Sequence, residues 1–182
     1  MKNLKKSSFA KLGRLFSAFG IAVCLAALNS CACGPASDSF GKDHPIPQGM
    51  TYEIPMEENA PAPAVDTQMS DSYLQLWNGI QGGVYNYSLY YPALPDGEVY
   101  LRCFEATENI ELSASRLRGA STVEVKNHTG FGKVADKQQF SIYEGDWDDY
   151  YAARIEVWHK NASTNEETKL LEKVYRVEGW MR

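Results

Sequence analysis

Histidine and cysteine are scarce in this chain of 182 residues, with three of the first and four of the second. The histidines, His44, His128 and His159, are too scattered for the paired spacings that zinc sites use. No paired CxxC motifs, no phosphate-cradling glycine loop and no Ser, His and Asp arrangement occur, so no cofactor and no nucleophilic catalysis are expected. Long apolar runs are missing too. The longest uncharged apolar stretch, Leu15 to Leu28, falls short of the roughly 20 residues a membrane-spanning helix needs. Proline is thin in the second half: Pro35, Pro45, Pro47, Pro55, Pro61 and Pro63 take six of the eight, which leaves the later chain free to pair as strands.

The first thirty residues carry Lys2, Lys5, Lys6, Lys11 and Arg14, no acid, and then the Leu15 to Leu28 run. A basic segment followed by an apolar segment of this length is the pattern of a secretory signal peptide. The run ends in Leu28, Asn29, Ser30 and Cys31. This resembles the lipobox of bacterial lipoproteins, in which an aliphatic residue stands three places and a small residue one place before a cysteine. Asn29 departs from the small or hydroxylated residue usual between them. Cys24 follows the branched Val23, and Cys33 follows Cys31 and Ala32, so both are poorer matches.

The resemblance covers residues 1–31 alone. It implies that residues 1–30 are a signal peptide that is removed and that Cys31 is the lipid-attachment residue, carrying a diacylglycerol and often a third, palmitate-type chain. It also implies a lipid-anchored place in the cell envelope, at the outer membrane facing the periplasm or the surface. Each buried methylene contributes about 0.8 kcal/mol, so several chains hold firmly where one holds weakly.

Loss of the first thirty residues removes five of 18 basic residues and leaves 13 against 23 acidic ones, a mature chain about ten charges negative. Such a balance excludes nucleic acid as a natural partner and favours basic or neutral ones. The expected partners are the membrane, through the anchor, and an envelope protein or glycan. An immunity or inhibitor role against a basic secreted protein is the alternative that the charge suggests. Cys103 alternates with Val99 and Leu101 and reads as a buried free thiol rather than a disulfide partner of Cys33.

Residues 31–72 read as the lipid-bearing cysteine and a Pro-rich linker, which in polyproline II form would reach about 100 Å. Within it, Tyr52, Ile54 and Met56 offer a short edge strand as the alternative. Residues 73–182 alternate apolar and polar side chains in short runs broken by turn residues. These predict an all-β, immunoglobulin-like antiparallel β-sandwich of seven or eight strands, with one helical turn allowed at Ser113 to Arg118. Val84–Tyr91 and Glu98–Glu105, joined through Pro95, Asp96 and a Gly97 suited to a positive φ, read as a hairpin. The cysteine pair and tyrosine corner of true immunoglobulin domains are missing, so the expectation is of the architecture alone.

Two constellations stand out. Glu144, Asp146, Asp148 and Asp149 crowd one loop around Trp147, and read as a solvated acidic loop rather than a Ca²⁺ cage, so no metal is expected. A carboxylate-based enzyme using this loop is the rival class, but adjacent carboxylates do not establish the facing geometry that hydrolysis needs. The second is an echo, Arg154, Glu156, Trp158 and Arg176, Glu178, Trp180, each trio on one face of a strand with Arg and Glu pairing across strands. Trp147, Trp158 and Trp180 form the candidate recognition surface of a non-catalytic binding module.

Overall fold

The computed structural model describes residues 40–62, 71–126 and 132–180, and Cys31, Cys33 and His128 lie outside them. Among the described residues eight strands form: β1 (Tyr73–Asn78), β2 (Val84–Tyr91), β3 (Gly97–Glu105), β4 (Glu111–Leu112), β5 (Val123–Val125), β6 (Gly132–Ser141), β7 (Tyr151–Asn161) and β8 (Glu167–Val177). A short helix, α1 (Phe40–Asp43), precedes them, and a second, α2 (Ala114–Ser121), separates β4 from β5.

One sheet has the order β1-β2-β6, and the other β4-β3-β7-β8 with β5 also on β3. Every strand pair is antiparallel. Hairpins β1–β2 and β7–β8 stay within a sheet, whereas the chain crosses the sandwich after β2, β5 and β6. This is the Greek-key wiring of an immunoglobulin-like sandwich. The expected hairpin between Val84–Tyr91 and Glu98–Glu105 does not form, because β2 pairs β1 and β6 while β3 pairs β7. The Pro95–Gly97 turn carries the chain from one sheet to the other. Gly97 serves close approach rather than a positive φ: a Cβ there would collide with the Lys160 carbonyl and the His159 ring, whose Nε2 lies 3.0 Å from the Pro95 carbonyl.

The core follows the two-residue period. Leu74, Leu76, Tyr85, Tyr87 and Leu89 face Val99, Leu101, Cys103, Ile155, Val157 and Tyr175 across the sandwich, all buried. Cys103 is a free thiol there, and burial pushes its pKa far above the ordinary thiol range. The missing tyrosine corner is in fact present. Tyr151, the first residue of β7, is fully buried and its hydroxyl donates to the Glu144 carbonyl at 2.7 Å, pinning the corner that leads into β7. Ala153 stands two residues on, where immunoglobulin domains have a cysteine.

Both open sides of the sandwich are closed, one by two short strands and a helix and the other by a strap of extended chain. On the β3 side, β4 pairs Cys103 and Phe104, β5 pairs Gly97 to Val99, and α2 fills the gap between. The Leu101 N–H, left facing that gap, donates to the Ser121 Oγ at 2.9 Å, and the same hydroxyl donates to the Leu117 carbonyl at 2.8 Å. A buried N–H that strand pairing would have satisfied is thereby matched.

On the other side residues 52–56 staple the two sheets together. Glu53 forms a parallel bridge with Tyr175 on the edge of one sheet, and Met56 one with Trp77 on the edge of the other. The bonds run from Glu53 N to Val174 O (2.8 Å), Arg176 N to Glu53 O (2.9 Å), Met56 N to Leu76 O (2.9 Å) and Asn78 N to Met56 O (2.8 Å). Pro55, buried between the bridges, has no N–H to leave unpaired. Lys173 pairs with Glu53 at 2.8 Å, and Trp77 Nε1 donates to the Ala60 carbonyl at 3.0 Å. At the start of this strap Phe40 packs edge-on against Tyr151 with centroids 5.1 Å apart, and Lys42 meets Asp149 at 3.1 Å. From Phe40 to Ala62 the expected free linker is therefore folded structure, because exposed sheet edges gain hydrogen bonds from any extended chain that reaches them.

Candidate functional site

The outward face of the larger sheet is built around β3 and β7 in register. Tyr100 lies opposite Trp158, Arg102 opposite Glu156 and Phe104 opposite Arg154. Period two in β3 sends Val99, Leu101 and Cys103 inward, and so sends Tyr100, Arg102 and Phe104 outward. Guanidinium groups then cover the outward rings. Arg118 from α2 lies 4.0 Å over Tyr100, Arg102 lies 4.8 Å over Phe104 and 5.7 Å over Trp158, and Arg154 lies 5.1 Å over Phe104. This layering explains why Tyr100 and Phe104, on the outer face, are both buried.

Each arginine is also neutralised. Arg102 pairs with Glu111 at 2.9 Å, Arg118 with Glu167 at 3.1 Å and Arg154 with Glu156 at 3.0 Å. Glu156 is the buried member. It accepts from Arg154 Nε at 3.0 Å and Trp158 Nε1 at 2.8 Å, with Lys169 at 3.5 Å. Burial alone would push its carboxyl up, but those two hydrogen bonds and the Lys169 and Arg154 charges outweigh it and hold the pKa below the usual carboxylate range. The expected cross-strand Arg and Glu pairing is thus replaced by pairing along β7 itself.

The second copy of the echo does not lie on a strand face. β8 ends at Val177, so Glu178 and Trp180 stand beyond it. Glu178 accepts from the Asp148 N–H at 2.8 Å, and its own N–H donates to the Tyr85 hydroxyl at 2.8 Å. Trp180 stacks on Tyr143 at 5.8 Å, and Arg116 lies 4.5 Å over Tyr143. Trp147 lies over Gly82, and Trp180 is held beside Gly83, positions where a Cβ would strike the indole ring and the backbone respectively. Trp147 and Trp180 therefore both stand at one end of the sandwich, beside the β1–β2 turn. Trp158 is seven residues along β7 from Tyr151, about 23 Å away at the rise of an extended strand. The three tryptophans do not make one surface.

The acidic loop disperses its carboxylates. Glu144 accepts from the Ser113 N–H and hydroxyl at 2.9 and 2.8 Å, Asp149 meets Lys42, and Asp146 turns onto the Trp147 N–H at 2.7 Å. Among the described residues no three His, Cys, Asp or Glu side chains are grouped to hold a metal ion. A cleft of about 280 Å³ lies away from this loop, between β5 and the β7–β8 turn, lined by Asp96, Glu98, Glu124, Lys126 and Lys160 among others.

Sequence reasoning missed Tyr143, Ile80, Ile110 and Tyr150, which belong to the Trp147 end. The signal available was the Gly82–Gly83 pair, since a turn that sheds two Cβ atoms makes room for large rings. Cys31 lies outside the described residues. Comparison of the chain with protein-family models, with curated proteins and with solved structures finds no match.

Proposed function

We propose that the protein is a lipid-anchored, non-catalytic binding module of the bacterial cell envelope, whose Trp158 face meets an envelope protein or glycan. The observation that carries the reading is the lipobox-like Cys31 standing nine residues ahead of Phe40, the first described residue packed on the sandwich. A domain tied so closely to a lipidated residue works at a membrane surface. The face suits recognition because its rings and guanidinium groups are held in place by ion pairs before a partner arrives, which lowers the ordering cost of binding.

Two experiments test it. Cys31→Ser should move the protein out of a salt-washed membrane fraction, and a variant that stays with the membranes refutes the anchor. The released full-length variant is then used to capture partners from envelope extract. Capture that disappears with Trp158→Ala, under conditions where that variant remains folded, supports the binding face. Capture indifferent to Trp158 sinks it.

A further inference from the structure

Apolar exposure is concentrated at one end of the sandwich. Ile80 is 76 % exposed, Trp147 40 %, Ile110 39 % and Tyr150 37 %. They stand in the β1–β2 turn, the β3–β4 turn and the β6–β7 loop, which the antiparallel registers bring to the same end. The other exposed large apolar side chains among the described residues, Tyr52 and Ile54, lie on the strap, and the opposite end contributes none. The strap also begins at the apolar end: a Cβ on Gly41 would strike the Asp149 carbonyl, Lys42 pairs with Asp149, and Asp149 lies between Trp147 and Tyr150 in sequence.

We propose that this end docks into the headgroup layer of the bilayer that holds the anchor, with Trp147, Tyr150, Ile80 and Ile110 as the inserted residues. The proposal rests on the lipid-anchor reading of Cys31. Phe40 follows Cys31 by nine positions, which limits the chain between them to about 30 Å even when fully extended. β7 has 11 residues and alone spans about 36 Å. The sandwich therefore cannot stand upright on its far end at the bilayer, and the near end is the one the tether holds closest to it.

The chemistry of the end fits an interface rather than a hydrocarbon core. Trp and Tyr rings partition to the headgroup level, where an apolar body and a polar tip are both satisfied. Arg176 lies 3.8 Å over the Tyr150 ring, and Arg116 covers Tyr143, so cations sit beside the rings at the depth of lipid phosphates. Asp146, Asp148 and Glu108 share the same loops and would be repelled by an anionic surface. The occupant is therefore a zwitterionic phospholipid interface. Docked this way, the Trp158 region stands clear of the bilayer.

The full chain, matured in a bacterial host that lipidates it, is reconstituted into phosphatidylcholine vesicles with and without brominated acyl chains. Flotation reads the anchor, and bromine quenching of tryptophan fluorescence reads the docking. The parent should float and be quenched. Trp147→Phe should lose most of the quenching, because Trp147 is the exposed indole at that end, whereas Trp77 is buried and Trp180 is stacked on Tyr143. Trp158→Phe should keep all of it, and Ile80→Glu with Tyr150→Glu should weaken quenching while flotation persists. Floating protein without quenching, or quenching indifferent to Trp147, overturns the docking and leaves the anchor standing. Protein that does not float overturns both.

Discussion

Glu156 decides how the outer face of the larger sheet is held together, and Glu156→Gln isolates its charge while keeping its shape. Glu156 is 5 % exposed, and its carboxylate accepts one hydrogen bond from Arg154 and one from Trp158. Hydrogen bonds to a charged group contribute about 1.5–3 kcal/mol each against about 1 for neutral pairs, and the glutamine NH₂ can satisfy neither donor. The expected loss near neutral pH is about 2 kcal/mol, roughly 30-fold in the folding equilibrium. For a domain of this size that lowers the Tm by about 6–8 °C. The pH dependence has a definite sign. Because the folded-state pKa lies below the unfolded one, the stabilisation is complete above the unfolded value of about 4.3 and fades as pH falls through the folded value. Urea denaturation of parent and Glu156→Gln should show a gap near pH 7 that closes towards pH 3. A gap independent of pH, or no gap near neutrality, refutes the account of Glu156 as the charged keystone of this face.

Ser121→Ala leaves the buried Leu101 N–H without an acceptor and should cost about 2 kcal/mol by urea denaturation, while the exposed neighbour Thr122→Ala should cost a small fraction of that. Gly41→Val forces a side chain into the Asp149 carbonyl, so hydrogen–deuterium exchange should rise in residues 40–44 and leave β3 and β7 protected. With Cys24, Cys31 and Cys33 all replaced by serine, Cys103 should resist a thiol reagent until the domain unfolds, because burial keeps the thiolate from forming; prompt labelling of native protein would contradict the core placement. Trp158→Ala and Trp180→Ala should each lower stability by about 2 kcal/mol, less than a fully buried tryptophan, through loss of ring contacts with Arg102 and Tyr143 respectively; calorimetry showing both variants as stable as the parent would make these rings ligand contacts alone.

The sandwich was legible because two-residue alternation is strong in the strands that make its core. Val84–Tyr91 and Tyr151–Val157 place their large side chains on the inner face in the order the sequence suggests. The Ala114–Ser121 helix grew from an expected single turn, and β6 extends well ahead of the Phe140 and Ile142 that signalled it. What alternation cannot carry is partnership. It says which side of a strand is wet, and nothing about which strand lies beside it, so the β2–β3 connection looked like a hairpin and is a crossover. The same limit scattered the candidate surface: Trp158 and Trp180 share a local motif, yet one sits in a strand and the other past the end of one. The tyrosine corner was hidden for a related reason. Tyr151 is marked by its bond to the Glu144 carbonyl seven residues back, and many tyrosines in this chain could have occupied that place.

Proline content misled most where it was most informative. Pro55 lies between two residues that each lend their N–H and carbonyl to a sheet edge, and a proline at that one position costs no hydrogen bond. A linker and a strap therefore have the same composition, and only the geometry of Glu53 and Met56 against opposite sheets tells them apart. The difference changes the function that the same residues support. A free chain from Cys31 to Ser72 would let the domain search about 100 Å of the envelope for a partner. With residues 40–62 folded, Phe40 follows Cys31 by only nine positions, a span of at most about 30 Å. Under the proposed lipid anchor the short tether would trade reach for orientation: one end of the sandwich would be held at the bilayer, and a ligand for the Trp158 face would have to come to within a few nanometres of the membrane to be bound.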